Sequence, residues 1–529
     1  MRFSRLACLL FALIAGAPRG AHADVLGLVL KAAAQPPGAG APPAQTPTLT
    51  EWAGEPRSIT LPELLQITIR QAPNLQAARI DIAVAEARIE QTWARNDWLL
   101  QAQLQGSRST GVVQGPTTVD KDDLVKGSID LSRALPTGGT IDLHAGGRYE
   151  YSRSHTDFVI MDMPITSTDR VTVWNDDLSA TITQPLLRNR GRQLFEANEA
   201  RATLARDVSV LARRLAAIQT VQTVISAYWD LVLAEQTVAI TQGSLDLARE
   251  RLRVTQIGAD GGKVPRSEIP AVLQIIATRE EDVLNGELGV LNASIAMRRS
   301  AGMPIGPGDL GLRVATDLET KDQSTNLGEL VDRAFAASPE LAQLAKQDAS
   351  ATIDLEVAEN GLLPQLDAAL SIGPTGTADT ARDAARNLAE LKTFSVSGTL
   401  TFQQSLGRHD ALGRTREQRE LKRKLAFTAA DLRFQIAQTM SRAVAQLELA
   451  RRRVTLSQRA IELANENIKI ETDRFNLGKS TNFDVLNRLE ELRQAELRKA
   501  QALVDWHKAE VVIESLTGDL LPMYGISVD

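Results

Sequence analysis

The chain has 529 residues, a formal net charge of −6 and only 4% aromatic residues. That charge balance lacks the basic excess a nucleic-acid partner calls for. So few aromatics would also leave a large enzyme core short of its usual bulky side chains, whereas long helices can pack through Ala and Leu.

Residues 1–23 read as a cleavable signal peptide. Arg2 and Arg5 precede the apolar run Leu6 to Ala15, and Ala21-His22-Ala23 is a small-x-small cleavage site leaving Asp24 as the mature start. The sole cysteine, Cys8, lies inside it, so the mature chain is expected to hold no disulfide, no Cys-ligated metal and no lipid anchor. No later apolar run reaches about 18 residues, so entry into a membrane would require a closed β-barrel. Residues 24–59, with Pro36-Pro37-Gly38-Ala39-Gly40, read as a flexible lead-in.

The rest is a tandem duplication, over 60–302 and 326–518, with a linker at 303–325 and a tail at 519–529. Thr60-Leu61-Pro62-Glu63-Leu64 through Pro73-Asn74-Leu75 resembles Asn326-Leu327-Gly328-Glu329-Leu330 through Pro339-Glu340-Leu341. Leu245-Asp246-Leu247-Ala248 resembles Ile461-Glu462-Leu463-Ala464, and the same offset carries Gly262-Lys263 onto Gly478-Lys479 and Gly302 onto Gly518. The spacing between matched regions places a surplus of roughly 50 residues in the middle of the first repeat.

In the first repeat, helices are expected over 60–96, strands over about 98–187, a long helix over 192–257 and a return helix over 264–301. Val224, Leu231, Val238, Leu245 and Leu252 recur every seventh residue, which is a coiled-coil seam. At 1.5 Å per residue that segment reaches roughly 100 Å. Between the helices the period changes to two. Trp98, Leu100, Ala102 and Leu104 alternate with glutamines, and Leu178, Ala180 and Ile182 with Ser and Thr. One apolar and one polar face is what a transmembrane barrel strand needs, and Tyr149, Tyr151, Phe158 and Trp174 are candidates for its interfaces. Ile129-Asp130-Leu131 and Ile141-Asp142-Leu143, around Leu135-Pro136-Thr137-Gly138-Gly139, read as an extra hairpin within the surplus.

The second repeat repeats this order: helices over 326–361, strands over about 364–406, a long helix over 408–477 and a return helix over 480–517. Its seam is Met440, Leu447, Val454, Ile461 and Ile468, and its strand alternation runs through Leu366, Ala368, Leu370 and Ile372, then Phe394, Val396, Leu400 and Phe402. The expected class is therefore mainly α with a transmembrane β segment: two tandem repeats of long coiled-coil helices plus amphipathic strands.

This arrangement resembles the TolC family of outer-membrane efflux proteins. Besides the duplicated repeat starts, the resemblance rests on Gly361-Leu362-Leu363-Pro364-Gln365-Leu366 entering a strand and Thr183-Gln184-Pro185-Leu186-Leu187-Arg188 leaving one. Arg474-Phe475-Asn476-Leu477-Gly478, with Phe483-Asp484-Val485-Leu486, marks the turn between helices. The resemblance covers about residues 58–520. It implies a homotrimer closing one β-barrel and one α-helical periplasmic tunnel, usually with four strands per protomer, a count that the surplus leaves open. It also implies a location in the cell outer membrane extending into the periplasm, contact with outer-membrane lipid, and two partners: a periplasmic adaptor (membrane fusion protein) and an inner-membrane pump. No nucleic acid, cofactor or metal is expected.

No catalytic constellation is present: the five His form no pair at metal-ligand spacing, and there is neither a phosphate loop nor a nucleophile elbow. The resemblance instead places a pore constriction at Asp484, Asn487 and Glu268. Three Asp484 side chains in a trimer would make a cation-selective ring, and crowding there would raise the carboxylate pKa. The same residues have a plain structural reading. Thr481-Asn482-Phe483-Asp484 has the form of a capping box, and Glu268 lies in a first turn behind Pro265.

Adaptor docking falls on the helix tips at Gly262, Lys263, Gly478, Lys479 and Ser480, which also read as ordinary helix caps. The family's closed-state network uses a base just after the tip glycine and a phenol. Here those positions are Ser480 and Phe475, so that network is not expected to carry over. Three function classes follow: an efflux or type I protein-secretion exit duct, a periplasmic adaptor or structural coiled coil, and an exported enzyme. The amphipathic strands favour the first.

Overall fold

The structure, a computed structural model, describes residues 57–114, 117–160, 163–306, 310–314 and 326–527, all within one compact unit. The signal peptide and nearly all of the lead-in lie outside the described residues. Strand β1 (Arg57–Ile59) closes the lead-in, and helices α1 (Leu61–Gln71) and α2 (Pro73–Thr92) follow. Thr60 and Glu63 form the capping box that starts α1, and Pro73 occupies the first turn of α2.

One antiparallel sheet follows: β2 (Leu99–Ser109) with its short extension β3 (Val112–Gln114), β4 (Thr117–Ala134), β5 (Thr140–Ile160) and β6 (Met163–Pro185). The chain then turns at Asn189, whose φ is positive, into α3 (Arg192–Phe195) and the 64-residue α4 (Ala197–Asp260). It returns through α5 (Glu268–Ala301).

The linker contains strand β7 (Leu312–Val314), which pairs in parallel with β1 and so ties the start of the first repeat to its end. Ile59 and Leu312 are buried there in one cluster with Tyr228 and Met297. The second repeat then runs α6 (Leu327–Ala337), α7 (Pro339–Asn360), β8 (Gln365–Ala378), α8 (Ala381–Ala389), β9 (Thr393–Gln403), the 68-residue α9 (His409–Asn476) and α10 (Asn482–Thr517). Helix α8 is an addition to the expected elements. The tail is also part of the core: α11 (Leu520–Met523) buries Leu520 and Leu521 in the same cluster as Tyr228.

The strand order is β2-β4-β5-β6-β8-β9, every neighbour antiparallel. The register aligns side chains laterally across the whole sheet. One row reads Leu100, Leu131, Leu143, Ala180, Ile372 and Val396. The adjacent polar row reads Gln101, Asp130, His144 and Ser179. Period-two alternation thus becomes one apolar and one polar surface. Aromatics mark both ends of the apolar band. The Arg133 guanidinium lies over the Trp98 ring at the helix end, while Tyr149 packs on Trp174, 4.7 Å between ring centres, near the other. Such girdles flank the apolar band of membrane barrels.

Below the sheet the helices form a wall four elements wide. α2 and α5 lie on one side of α4, and α7 and α10 lie between α4 and α9. Small residues let the closest pair approach: beyond Met440, the buried positions of α9 are Ala443, Ala450, Ser457, Ala464 and Glu471, every seventh residue. The larger seam residues Leu447, Val454, Ile461 and Ile468 flank that stripe and are half-buried.

Candidate functional site at the helix tips

Both helical hairpins turn on the same motif. Gly262 and Gly478 have φ of 74° and 70°, and the following amides close back on the helix, Lys263 N to Gly258 O at 2.8 Å and Lys479 N to Arg474 O at 2.9 Å. These are left-handed helix terminations that disfavour any residue with a Cβ. Lys263 and Lys479 are exposed beside them, with the apolar side chains Ile257, Leu477 and Phe483.

Asp484 is the third residue of α10 and completes the capping box. Its Oδ2 accepts from Thr481 N at 3.0 Å, Thr481 Oγ1 at 2.7 Å and Ser480 Oγ at 3.2 Å. Those bonds, the Thr481 amide first, hold its carboxyl below the usual range. Asn487 lies further along the same helix and is exposed.

Glu268, at the matched position of the first repeat, does something different. Its Oε2 accepts from both Asn482 N, at 3.3 Å, and Asn482 Nδ2, so it reaches across to the other hairpin. Asn482 in turn accepts from Arg251 Nε at 2.7 Å, and the Arg251 guanidinium lies 3.8 Å from the ring centre of Phe475. Arg251, only 8% exposed, is thus held against both helices of the second hairpin while its charge is balanced through Asn482 by Glu268. Burial lowers its pKa, opposed by Glu268. A guanidinium packed on an aromatic face in a dry site is an attractive contact of roughly 1–2 kcal/mol.

The cation beside Phe475 therefore comes from α4. Ser480 takes a separate role, bonding the buried Glu471 carboxylate at 2.5 Å. A second tie lies further from the tip: Arg279 of α5 pairs with Glu490 of α10, and Arg493 reaches Asp282 at 3.9 Å. Burial pushes Glu490 up, but Arg493, Gln494 and Arg279 outweigh it and bring its carboxyl to about 2.

Sequence reasoning missed Arg251, Asn482 and Glu471. The available signal was a charge or amide on a stripe otherwise filled by Leu245, Ala248 and Thr255, or by the small residues Ala450, Ser457 and Ala464. Long charged residues are rarely so buried without a partner.

Residues 330–519 match the outer membrane efflux protein family. No curated protein sequence matches the chain. Among solved structures, the outer-membrane channel OprN superposes with a TM-score of 0.62 at 15% identity, covering 87% of this chain and 90% of that one. The CmeC outer-membrane channel of Campylobacter jejuni gives 0.61 at 11% identity, covering 87% and 86%. The outer-membrane protein VceC of Vibrio cholerae gives 0.60 at 12%, covering 87% and 96%. Residues 330–519 form an outer membrane efflux protein domain, and the chain as a whole has the fold of the TolC-like outer-membrane channels.

Proposed function

We propose that this protein is the outer-membrane exit duct of a tripartite efflux system. Three copies close a barrel and a periplasmic tunnel, and the duct passively conducts substrates handed on by an adaptor and an inner-membrane pump. One observation carries the reading: among the described residues there are two unsatisfied lateral edges that coincide from end to end. On one side the free strand β2 continues into α2, with exposed Ile80 and Val84, above α5, with exposed Leu273, Leu284 and Leu288. On the other, free strand β9 leads into α9, whose Leu449, Leu456, Leu463 and Ile470, continued by Leu477 just past its end, form an exposed heptad stripe 50–70% accessible. A seven-residue apolar stripe calls for a partner helix, and an open strand edge in lipid leaves backbone groups unpaired at several kcal/mol each. Joining copies side by side satisfies both.

The chain contributes no chemistry to transport in this reading. Its role is to exclude lipid, hold a water path and close the tips when idle. Asp484, Asn487 and Glu268 remain the proposed mouth residues, with Gly262, Lys263, Gly478, Lys479, Ser480 and Phe475 the tip surface offered to an adaptor. Replacing Asp484 with Asn should lower cation selectivity and divalent-ion block in bilayer recordings, at small cost in stability because Thr481 still caps α10. Unaltered selectivity would leave Asp484 as a cap and nothing more. Purification as a heat-modifiable trimer from outer membranes tests the assembly itself.

A further inference from the structure

The inserted hairpin changes the duct. Strands β4 and β5 are not an appendage on a four-stranded unit. Among the described residues β2 pairs only with β4 over its length, from Leu99 with Ser132 to Ser109 with Asp122, and β6 reaches that edge only through β5. The entry strand β2 has no other route into the sheet, so any closed wall that includes β2 also includes the hairpin. The hairpin's turn is fixed at the junction with the helices: Gly191 N bonds Thr137 O at 3.0 Å, Gln184 Nε2 bonds the same carbonyl at 3.1 Å, and Thr137 Oγ1 bonds Gln184 Oε1 at 2.6 Å. Its side chains obey the faces of the other strands, with Ile129, Leu131 and Leu143 in the apolar rows and Ser128, Asp130 and His144 in the polar ones.

We infer that the assembled barrel contains eighteen strands, six from each of three copies, and is as wide as the helical tunnel beneath it. This rests on the trimeric duct proposed above. The edges suit closure: β2 and β9 are each 11 residues long and run in opposite directions, so the β9 of one copy meets the β2 of the next as an antiparallel pair with apolar faces aligned. With strands about 4.8 Å apart and tilted by about 40°, eighteen give a backbone diameter of about 36 Å, against about 24 Å for twelve. Four helix positions per copy, about 9 Å apart, give a tunnel about 34 Å across. Six strands per copy therefore give a barrel about as wide as the tunnel. After side chains, the barrel lumen is about 26 Å wide rather than about 14 Å.

Two measurements on the full-length protein test this. Single-particle imaging of the detergent-solubilised assembly should show eighteen strands in the wall. Because the sole cysteine lies in the signal segment, a Ser128→Cys variant carries one reporter on the polar face of the hairpin. On intact cells it should react from outside with maleimide-polymers up to about 20 Å across, and a Leu131→Cys variant on the apolar face should stay unreactive to them. A trimer whose wall holds only twelve strands, or a Ser128→Cys thiol closed to probes wider than about 14 Å, overturns the wide barrel while leaving the duct standing. A monomer without a barrel overturns both.

Discussion

Replacing Arg251 with Ala should unfasten the two helical hairpins and raise single-channel conductance severalfold in bilayers. The argument is one of stranded polar groups. Arg251 donates to Asn482 and lies on Phe475, and Asn482 donates to Glu268. Removing the cation leaves the Asn482 carbonyl without its donor and takes away a charge that Glu268 opposes across Asn482, in a site where Asn482 is 2% exposed. Breaking a buried, charge-assisted contact of this kind costs about 2–4 kcal/mol. That energy now holds the first hairpin to the second at the tip, so its loss should favour states in which the tips part. Arg251→Lys should be intermediate, since an ammonium keeps the charge but has neither the planar face for Phe475 nor the fork geometry. Asn482→Ala should resemble Arg251→Ala, and the double variant should be less than additive because one strap is lost in each case. If both single variants conduct like the parent, the strap does not close the tip, and the Arg279–Glu490 tie becomes the next candidate.

The large-scale fold was legible because it rests on periodicity. The seventh-residue recurrence of Val224 to Leu252 and Met440 to Ile468 announced helices of wall length, and the switch to alternation at Trp98, Leu178, Leu366 and Phe394 announced the strands. What escaped was set by three-dimensional proximity. Helix α8 is nine residues long and rich in Ala and Arg, and its place is fixed by Ala384 and Leu388 settling against Gly376 of β8, a contact between elements that no local pattern records. Strand β7 is three residues long and exists because β1 lies beside it.

The site was legible by halves. Sequence located the tips through Gly262 and Gly478 and found the capping box around Asp484. It did not find Arg251, because the heptad reading followed the large residues Leu245 and Leu252, whereas the buried face of α4 near the tip also takes in Ala248, Arg251 and Thr255. A single Arg on such a face is explained only once Phe475 and Asn482 are seen opposite it.

The second large effect concerns pH. Glu514 of α10 is held in an apolar setting beside the tail helix, and burial first, then the neighbouring Glu510 and Asp519, push its carboxyl up to about 7. Around it, Tyr524 is pushed up to about 12 by burial, then by Glu514 and Glu510. Asp519 is engaged by Arg333 and by Thr517, at 2.8 Å for the latter, and His507 lies 3.7 Å from Glu510. A carboxyl raised in the folded state favours folding while it is protonated. Its contribution is therefore complete below the unfolded carboxylate range and is withdrawn as pH rises through about 7. The raised value corresponds to roughly 2–3 kcal/mol between the two limits. The unfolding midpoint of the helical region should consequently decrease as the pH is raised from about 5 to about 8. Glu514→Gln, which keeps the shape and cannot ionise, should flatten that slope and raise the midpoint at the alkaline end. Glu510→Gln should give a smaller change in the same direction, since it removes only one like charge. A Glu514→Gln protein with the parental pH slope would show that the group ionises without penalty, and the tail would then have to be anchored by Leu520 and Leu521 alone.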